Sequence, residues 1–359
     1  MELLTGELTA QNILLYSDQQ HASDIHLAPG CALMIRIDGG LCPVSDHPLT
    51  AEETERITKS MITEAQWKEL EEVGELDFAY SFPGFTRVRV NAFRQKGTYA
   101  LAMRILAYNI PTPQTLGIPK SVVGLSDRKR GLVLVTGATG SGKSTTLASL
   151  IQEISNKYSK HIITMEDPIE YLHHHNKSIV DQREVGSDTG SYANAVRAAL
   201  REDPDVILIG EMRDLETIST AITAAETGHL VFSTLHTNSA ADAVDRVIDV
   251  FPPHQQPQIR IQFAAVIEGI IAQQLIPQID GGRVAAFEVM LGSPAIRNLI
   301  REGKAFQIPS MIQTSKKDGM QLMDDHLYEL ALTNFITRED AIRFSHDHNS
   351  MAQKTAVLG

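Results

Sequence analysis

Gly137-Ala138-Thr139-Gly140-Ser141-Gly142-Lys143-Ser144 is the stretch that decides the fold of this 359-residue chain. A glycine, four free positions and then Gly-Lys-Ser match a phosphate-binding loop, in which backbone N–H groups turn inward on an anion. That pattern has chemical meaning only between a strand and a helix, and both flanks comply. Leu132 to Thr136 is a short apolar run of strand character, and Lys143 to Ser155 reads as a helix. In such a loop the glycines free the backbone and the helix N-terminus adds the positive end of its dipole. Lys143 reaches the outer phosphates of ATP, and Ser144 holds magnesium. Gly137, Ala138, Thr139, Gly140, Ser141, Gly142, Lys143, Ser144 and Thr145 are the candidate nucleotide-binding residues.

Downstream, strands expected at His161 to Met165, Val206 to Ile209 and Leu230 to Leu235 alternate with helices at Thr217 to Thr227 and Ala240 to Val250. Short apolar strands alternating with helices predict a mostly parallel, doubly wound α/β sheet. Ligands of such sheets sit at the carboxyl ends of the strands, so the residues just past each strand are the ones to inspect. These are the phosphate loop, Glu166-Asp167, Gly210-Glu211 and His236. An acid normally ends the magnesium-binding strand, whereas here Gly210 takes that place. Glu211, which follows it, suits a catalytic base that polarises the water attacking the γ-phosphate, a role needing an acceptor within about 3 Å of that water.

Glu166, Asp167 and Glu170 form a second acidic cluster. It is suited to bind magnesium through water and to place the attacking water, the plain alternative being a solvated turn around Pro168. His236 is placed to hydrogen-bond a phosphate or Glu211. His229 opens the same strand and stays open between a catalytic role and an ordinary satisfied histidine. His173-His174-His175 lacks the i, i+4 spacing of a metal site and reads as an exposed loop with no role assigned. Beyond Phe251 the chain reads as helix-rich.

Upstream, a helix is expected from Thr9 to His21, then strand-like Asp24 to Leu27 and Leu33 to Ile37 ending in the turn Asp38-Gly39-Gly40. Thr50 and Glu53 stand at capping-box spacing and open a helix running toward Glu72. Leu76 to Ser81, Arg87 to Phe93 and Thr98 to Ile105 are strand candidates, separated by Pro83-Gly84 and Lys96-Gly97. This part is α+β with an antiparallel sheet. Pro111, Pro113, Gly117 and Pro119 mark a linker. The expected organisation is an N-terminal domain over 1–108, a linker over 109–120 and an α/β domain over 121–359, helical from about 252.

Lys143 is the one evident cation for the transferring phosphoryl group, and arginines are the usual supplement. Arg87 and Arg89 alternate on one strand face, Arg94 follows in the turn and Arg104 ends the next strand. Either they are solvated or they act on a neighbouring subunit's nucleotide. The net charge of −12, with neither half basic, argues against nucleic acid as the main partner. Two cysteines, Cys31 and Cys42, make neither a four-thiolate zinc site nor a disulfide framework, so a cytosolic protein is the default. No secretory signal is expected in Met1 to Thr9, and no transmembrane segment anywhere. Even Phe263 to Ile276 is interrupted by Glu268, Gln273 and Gln274.

Several segments match family motifs in order: Asp24-Ile25-His26 with Arg36-Ile37-Asp38-Gly39, Arg87-Val88-Arg89-Val90-Asn91, Thr164 through Glu170, Ile207 through Asp214, and Thr227-Gly228-His229 through Leu235-His236-Thr237. Over nearly the whole chain they resemble the secretion ATPase superfamily, and most closely its pilus-retraction (twitching-motility, PilT-type) motors. The resemblance implies a PAS-like N-terminal domain, a RecA-like P-loop ATPase domain and a helical C-terminal part. It implies a homohexamer in which some of the four arginines reach an adjacent ATP, the sequence leaving open which. It also implies work on an inner-membrane platform protein that disassembles a type IV pilus, with a paralogous retraction ATPase as a further partner. The place of such an enzyme is cytoplasmic, peripheral to the inner membrane at the pilus base.

Ala295 through Lys304 resembles the family's retraction motif. Pro294 suits the first turn of a helix and Gly303 its cap. Ile296, Leu299 and Ile300 make an apolar face, and Arg297, Arg301 and Lys304 fall on another, expected to be a surface that couples to the platform or a neighbouring subunit. Pilus assembly, type II secretion, nucleic-acid translocation and a non-hydrolysing ATP-binding regulatory module are the alternatives. The missing cysteine quartet weighs against assembly, the acidic charge against translocation, and Glu211 against a pure switch.

Overall fold

The computed structural model describes residues 4, 6–37, 39–82, 87–106 and 109–356. Asp38 and the Pro83-Gly84 separator lie outside the described residues. The chain divides into two compact units, one of Met1–Asn109 with Glu170–Leu172, the other of Ile110–Ile169 with His173–Gly359.

In the first unit, three threonines start three helices. Thr9, Thr50 and Thr63 accept from the backbone N–H three residues on, and Asn12, Glu53 and Gln66 reciprocate, opening α1 (Ala10–Gln19), α2 (Ala51–Met61) and α3 (Glu64–Val73). The single helix expected from Thr50 toward Glu72 is therefore two, because Ile62 is extended and Thr63 caps a fresh start. The strands are β1 (Asp24–Leu27), β2 (Ala32–Ile37), β3 (Gly40–Pro48), β4 (Glu75–Tyr80), β5 (Val88–Gln95) and β6 (Thr98–Ile105). They form one antiparallel sheet in the order β3-β2-β1-β6-β5-β4. One face buries Ile25, Leu27, Leu33, Ile35, Val88 and Val90. The period of two then sends Asp24, His26, Arg89, Asn91 and Arg104 to the other face, where with Asp77 they line a shallow concavity.

After turns over 109–119, the second unit runs α4 (Lys120–Val123), β7 (Gly131–Thr136), α5 (Lys143–Lys157), β8 (His161–Glu166), β9 (Ile179–Glu184), α6 (Tyr192–Ala199), β10 (Val206–Ile209), α7 (Leu215–Glu226), β11 (Leu230–Leu235), α8 (Ala240–Asp249) and α9 (Gln256–Val266). Two long strands follow, β12 (Ile267–Pro277) and β13 (Arg283–Leu291), then α10 (Pro294–Arg301), α11 (Ile308–Thr314), α12 (Met323–Leu332), α13 (Arg338–Phe344) and α14 (His348–Thr355). The sheet order is β13-β12-β7-β11-β10-β8-β9, parallel throughout except for β13. β7 is buried on both faces. Leu132 and Leu134 belong to one core cluster, Val133 and Val135 to another.

The helical region expected from about 252 is thus interrupted by β12 and β13. β12 lies between β7 and β13 with most of its residues buried, so no polar alternation marks it as a strand. Among the described residues no helix is long and apolar enough to cross a membrane.

Candidate active site

β7, β8, β10 and β11 run parallel, which brings their carboxyl ends to one edge. At the end of β7, Gly142 adopts φ 87° and α5 begins without a side-chain cap. Lys143 is almost fully buried, its Nζ donating to Gly137 O at 2.8 Å and Ala138 O at 3.0 Å. Ala138, Thr139 and Gly140 form the exposed crown, and the Ser141 hydroxyl is buried with no partner among the described residues. An uncapped helix N-terminus, an ammonium folded into its own loop and an orphaned hydroxyl suit a polyphosphate, with Ser144 and Thr145 in the first helical turn. The loop's root is pinned: Thr237 N donates to Thr136 Oγ1 at 2.8 Å, and Thr136 Oγ1 donates to Thr237 O at 2.7 Å.

Past β10, a Cβ on Gly210 would come within 2.7 Å of the Tyr192 hydroxyl and 3.2 Å of Met165 O. Any side chain there would have to displace the Tyr192 hydroxyl and crowd Met165 O, an arrangement that favours glycine where an acid is usual. The Glu211 carboxylate is largely buried, with Oε1 2.6 Å from Arg213 Nε and Oε2 accepting from His236 Nε2 at 3.2 Å. Tyr192, from the unanticipated α6, lies beside this group. Burial first, then the negative charges of Asp167, Glu211 and Glu166, push its phenol well above the usual range and keep it a neutral donor. Tyr192 and Arg213 were not legible as site residues, because only tertiary packing brings the first to Gly210.

Glu166 Oε1 accepts from Thr164 Oγ1 at 2.7 Å and from Gln182 Nε2 at 3.1 Å. Among the described residues no three His, Cys, Asp or Glu side chains gather as a direct metal site. The expected exposed loop at 173–175 needs correcting at its first residue. His173 is half-buried, its N–H donates to Gln182 Oε1 at 2.8 Å, and burial, then the neighbouring His174, pull its imidazole down to about 4. His229 is not brought to this edge. It opens β11 at the amino side, where its carbonyl accepts from Gly131 N at 3.0 Å and its Nδ1 meets Ala224 O at 2.9 Å.

Arg89 and Arg104 are cross-strand partners, both exposed on the polar sheet face, while Arg87 lies just ahead of β5. Arg104 Nε sits 2.9 Å from Asp24 Oδ1. Burial works to raise the Asp24 carboxyl, but the Ser23 hydroxyl and Arg104 outweigh it and hold it below the usual range. Arg94 lies inside β5, not in the turn, and five positions after Arg89 it falls on the opposite face; its Nη1 reaches Glu71 O at 3.4 Å. In α10, Ile296, Leu299 and Ile300 are buried as expected, but Arg297 is half-buried and not spread on the surface as its place on the helix suggests. It points inward, with Nη2 2.6 Å from Glu268 Oε1, Nε donating to Gly292 O at 2.8 Å and Nη1 donating to Ala264 O at 2.9 Å and to Ala265 O. Arg301 and Lys304 are exposed.

With this geometry in place, comparison with known families matches residues 8–283 to the Type II/IV secretion system protein family. The chain belongs to this family. Among its relatives, the Pseudomonas aeruginosa protein described as type IV pilus retractation ATPase PilT is 48% identical over 329 residues, 92% of this chain and 96% of that one. A Neisseria gonorrhoeae twitching motility protein is 44% identical over 323 residues, covering 90% and 86%. A solved structure described as the pilus retraction motor PilT with bound ADP superposes with a TM-score of 0.90 at 50% identity, covering 97% of this chain and 100% of that one. The secretion-family fold is accordingly the one expected: α/β, with an N-terminal α+β PAS-like domain, a RecA-like P-loop ATPase domain and a helical C-terminal part.

Proposed function

We propose that this chain hydrolyses ATP to ADP and phosphate and that the reaction powers retraction of type IV pili, with the chain working as one subunit of a homohexameric ring. The observation that carries the hydrolytic half is Glu211: a carboxylate held from both sides by Arg213 and His236, at the strand edge that ends in the phosphate loop. The relatives described as a pilus retractation ATPase and a twitching motility protein support the mechanical half. A non-hydrolysing switch has no use for an acid so held.

Gly137 through Thr145 bind the phosphates and Lys143 neutralises the outer ones. Ser144, and Glu166 through water, are the holders for magnesium, which when bound supplies charge neutralisation at the phosphate oxygens. Glu211 accepts the proton of the attacking water, and His236 keeps the carboxylate oriented. Arg89 and Arg104, with Arg87 beside them, serve the nucleotide of an adjacent subunit. Arg94, which faces away from them, and His229, at the amino edge, are left out of this machinery. The domain limits 1–108, 109–120 and 121–359 belong to the same proposal. So do the inner-membrane platform protein and a paralogous retraction ATPase as partners, and a cytoplasmic place at the pilus base.

The test is magnesium-dependent phosphate release by the wild-type protein and by Glu211→Gln. Loss of a general base should lower turnover by about 10²-fold or more while ATP binding changes little. Normal turnover in Glu211→Gln overturns the base assignment, and no wild-type turnover at all returns the site to a binding module.

A further inference from the structure

Two of the phosphate loop's glycines are shaped around one residue outside the loop. A Cβ on Gly137 would stand 2.3 Å from the main-chain oxygen of Gln273, and a Cβ on Gly142 would stand 2.8 Å from its Nε2. Register explains the encounter. β12 runs parallel to β7 with Ala272 opposite Thr136, so Gln273 comes one residue past the pair just as Gly137 does. Its side chain, 3% exposed, then passes under the loop to the first turn of α5, where Thr146 Oγ1 donates to Gln273 Oε1 at 2.8 Å. One buried residue thereby touches the loop's first position, its last glycine and the helix that follows.

We propose that Gln273 is a positioning residue for the nucleotide's phosphates, setting the span between the two ends of the loop so that its N–H groups converge on the anion. The proposal rests on nucleotide binding at this loop. Gln273 acts through Gly137, Gly142 and Thr146 and touches no nucleotide itself. Removing its amide leaves the Thr146 hydroxyl, itself 1% exposed, without an acceptor in a dry site and frees the loop's closing turn.

The experiment compares wild type, Gln273→Met, Thr146→Val and the double variant in the full chain. Methionine keeps the length and removes the hydrogen bond from Thr146. Binding of ADP carrying a methylanthraniloyl fluorophore, kcat and KM for ATP, and Tm without nucleotide are measured. Gln273→Met should weaken ADP about tenfold and raise KM in step, with kcat at saturation within about threefold and Tm close to wild type. Thr146→Val should lose affinity in the same direction, and the double variant should lose less than the two singles combined, because both cut one link. Wild-type ADP affinity in Gln273→Met overturns the proposal, as does a fall in Tm and kcat with affinity unchanged. If Gln273→Met does not fold, Thr146→Val decides: wild-type affinity there refutes the positioning role. A wild-type protein that binds no ADP refutes the nucleotide site itself, which separates the two failures.

Discussion

Lys143 shows how much of the chemistry is settled by single side chains. Its ammonium is nearly buried and rests on the Gly137 and Ala138 carbonyls, a pose that keeps the charge inside the loop. A charge-assisted bond to phosphate at such a desolvated place is worth several kcal/mol. Lys143→Ala should therefore abolish measurable ATP binding or hydrolysis, read by fluorescent-nucleotide titration and phosphate release; wild-type values in both would remove the lysine from the site. Lys143 was legible because its meaning lies in contiguous spacing. The pairing of His236 with Glu211 was anticipated as one of two options, and Nε2 and Oε2 stand 3.2 Å apart. Tyr192 and Arg213 were missed, since neither stands in a local pattern that marks it.

At the level of elements, α10 divides Arg297 and Arg301, which the helical wheel groups on one face. Arg297 ties the last carbonyls of α9 to Glu268 and Gly292, and Glu268 takes a second partner in Arg128 Nε at 3.2 Å. Arg297→Ala strips those carbonyls and half of the support of a largely buried carboxylate, so it should cost about 2–4 kcal/mol and lower Tm by several degrees in a melt of the purified protein. Arg301→Ala, at an exposed position with only a 3.4 Å bond to Asn298 Oδ1, should stay within about 0.5 kcal/mol of wild type. Loss of twitching in Arg301→Ala with Tm unchanged places the coupling on the exposed face of α10. A wild-type melt for Arg297→Ala would show the clamp to be without weight. Helix starts were legible where a threonine and its partner three residues on could be read, as at Thr50. Thr63 escaped because the apolar spacing ran on through it.

For the molecule as a whole, the polar sheet face of the first unit carries Arg89 and Arg104 side by side, with Asp24 holding Arg104 through one oxygen. If these arginines complete a neighbour's nucleotide site, charge reversal of either should depress hydrolysis more than nucleotide affinity. Mixing Arg104→Glu subunits with Lys143→Ala subunits should then recover part of the ATPase rate, through interfaces that pair one intact loop with one intact arginine. No recovery in mixed rings verified by native mass measurement would remove the action in trans. The overall acidity that argued against nucleic acid needs no fold at all to be seen, whereas the partition of arginines between two faces of β5 follows only from where the strand begins and ends.

What could be determined from the order of residues was whatever is written locally. The phosphate loop is eight adjacent residues whose flanks declare strand and helix, and the α/β class follows from short apolar runs alternating with amphipathic ones. The acidic or histidine ends of the strands follow from that class, because parallel strands must share a carboxyl edge. Tertiary structure alone decided what depends on the register of distant segments. Ile267–Pro277 became a strand beside β7 because its backbone found partners there, on both sides, that no periodicity announces. That placement put Gln273 under the loop. Similarly, Arg297 turned inward because the end of α9 offered carbonyls past its last helical bonds and Glu268 a second carboxylate oxygen beside the one Arg128 holds, a demand created by packing and invisible to the spacing of α10.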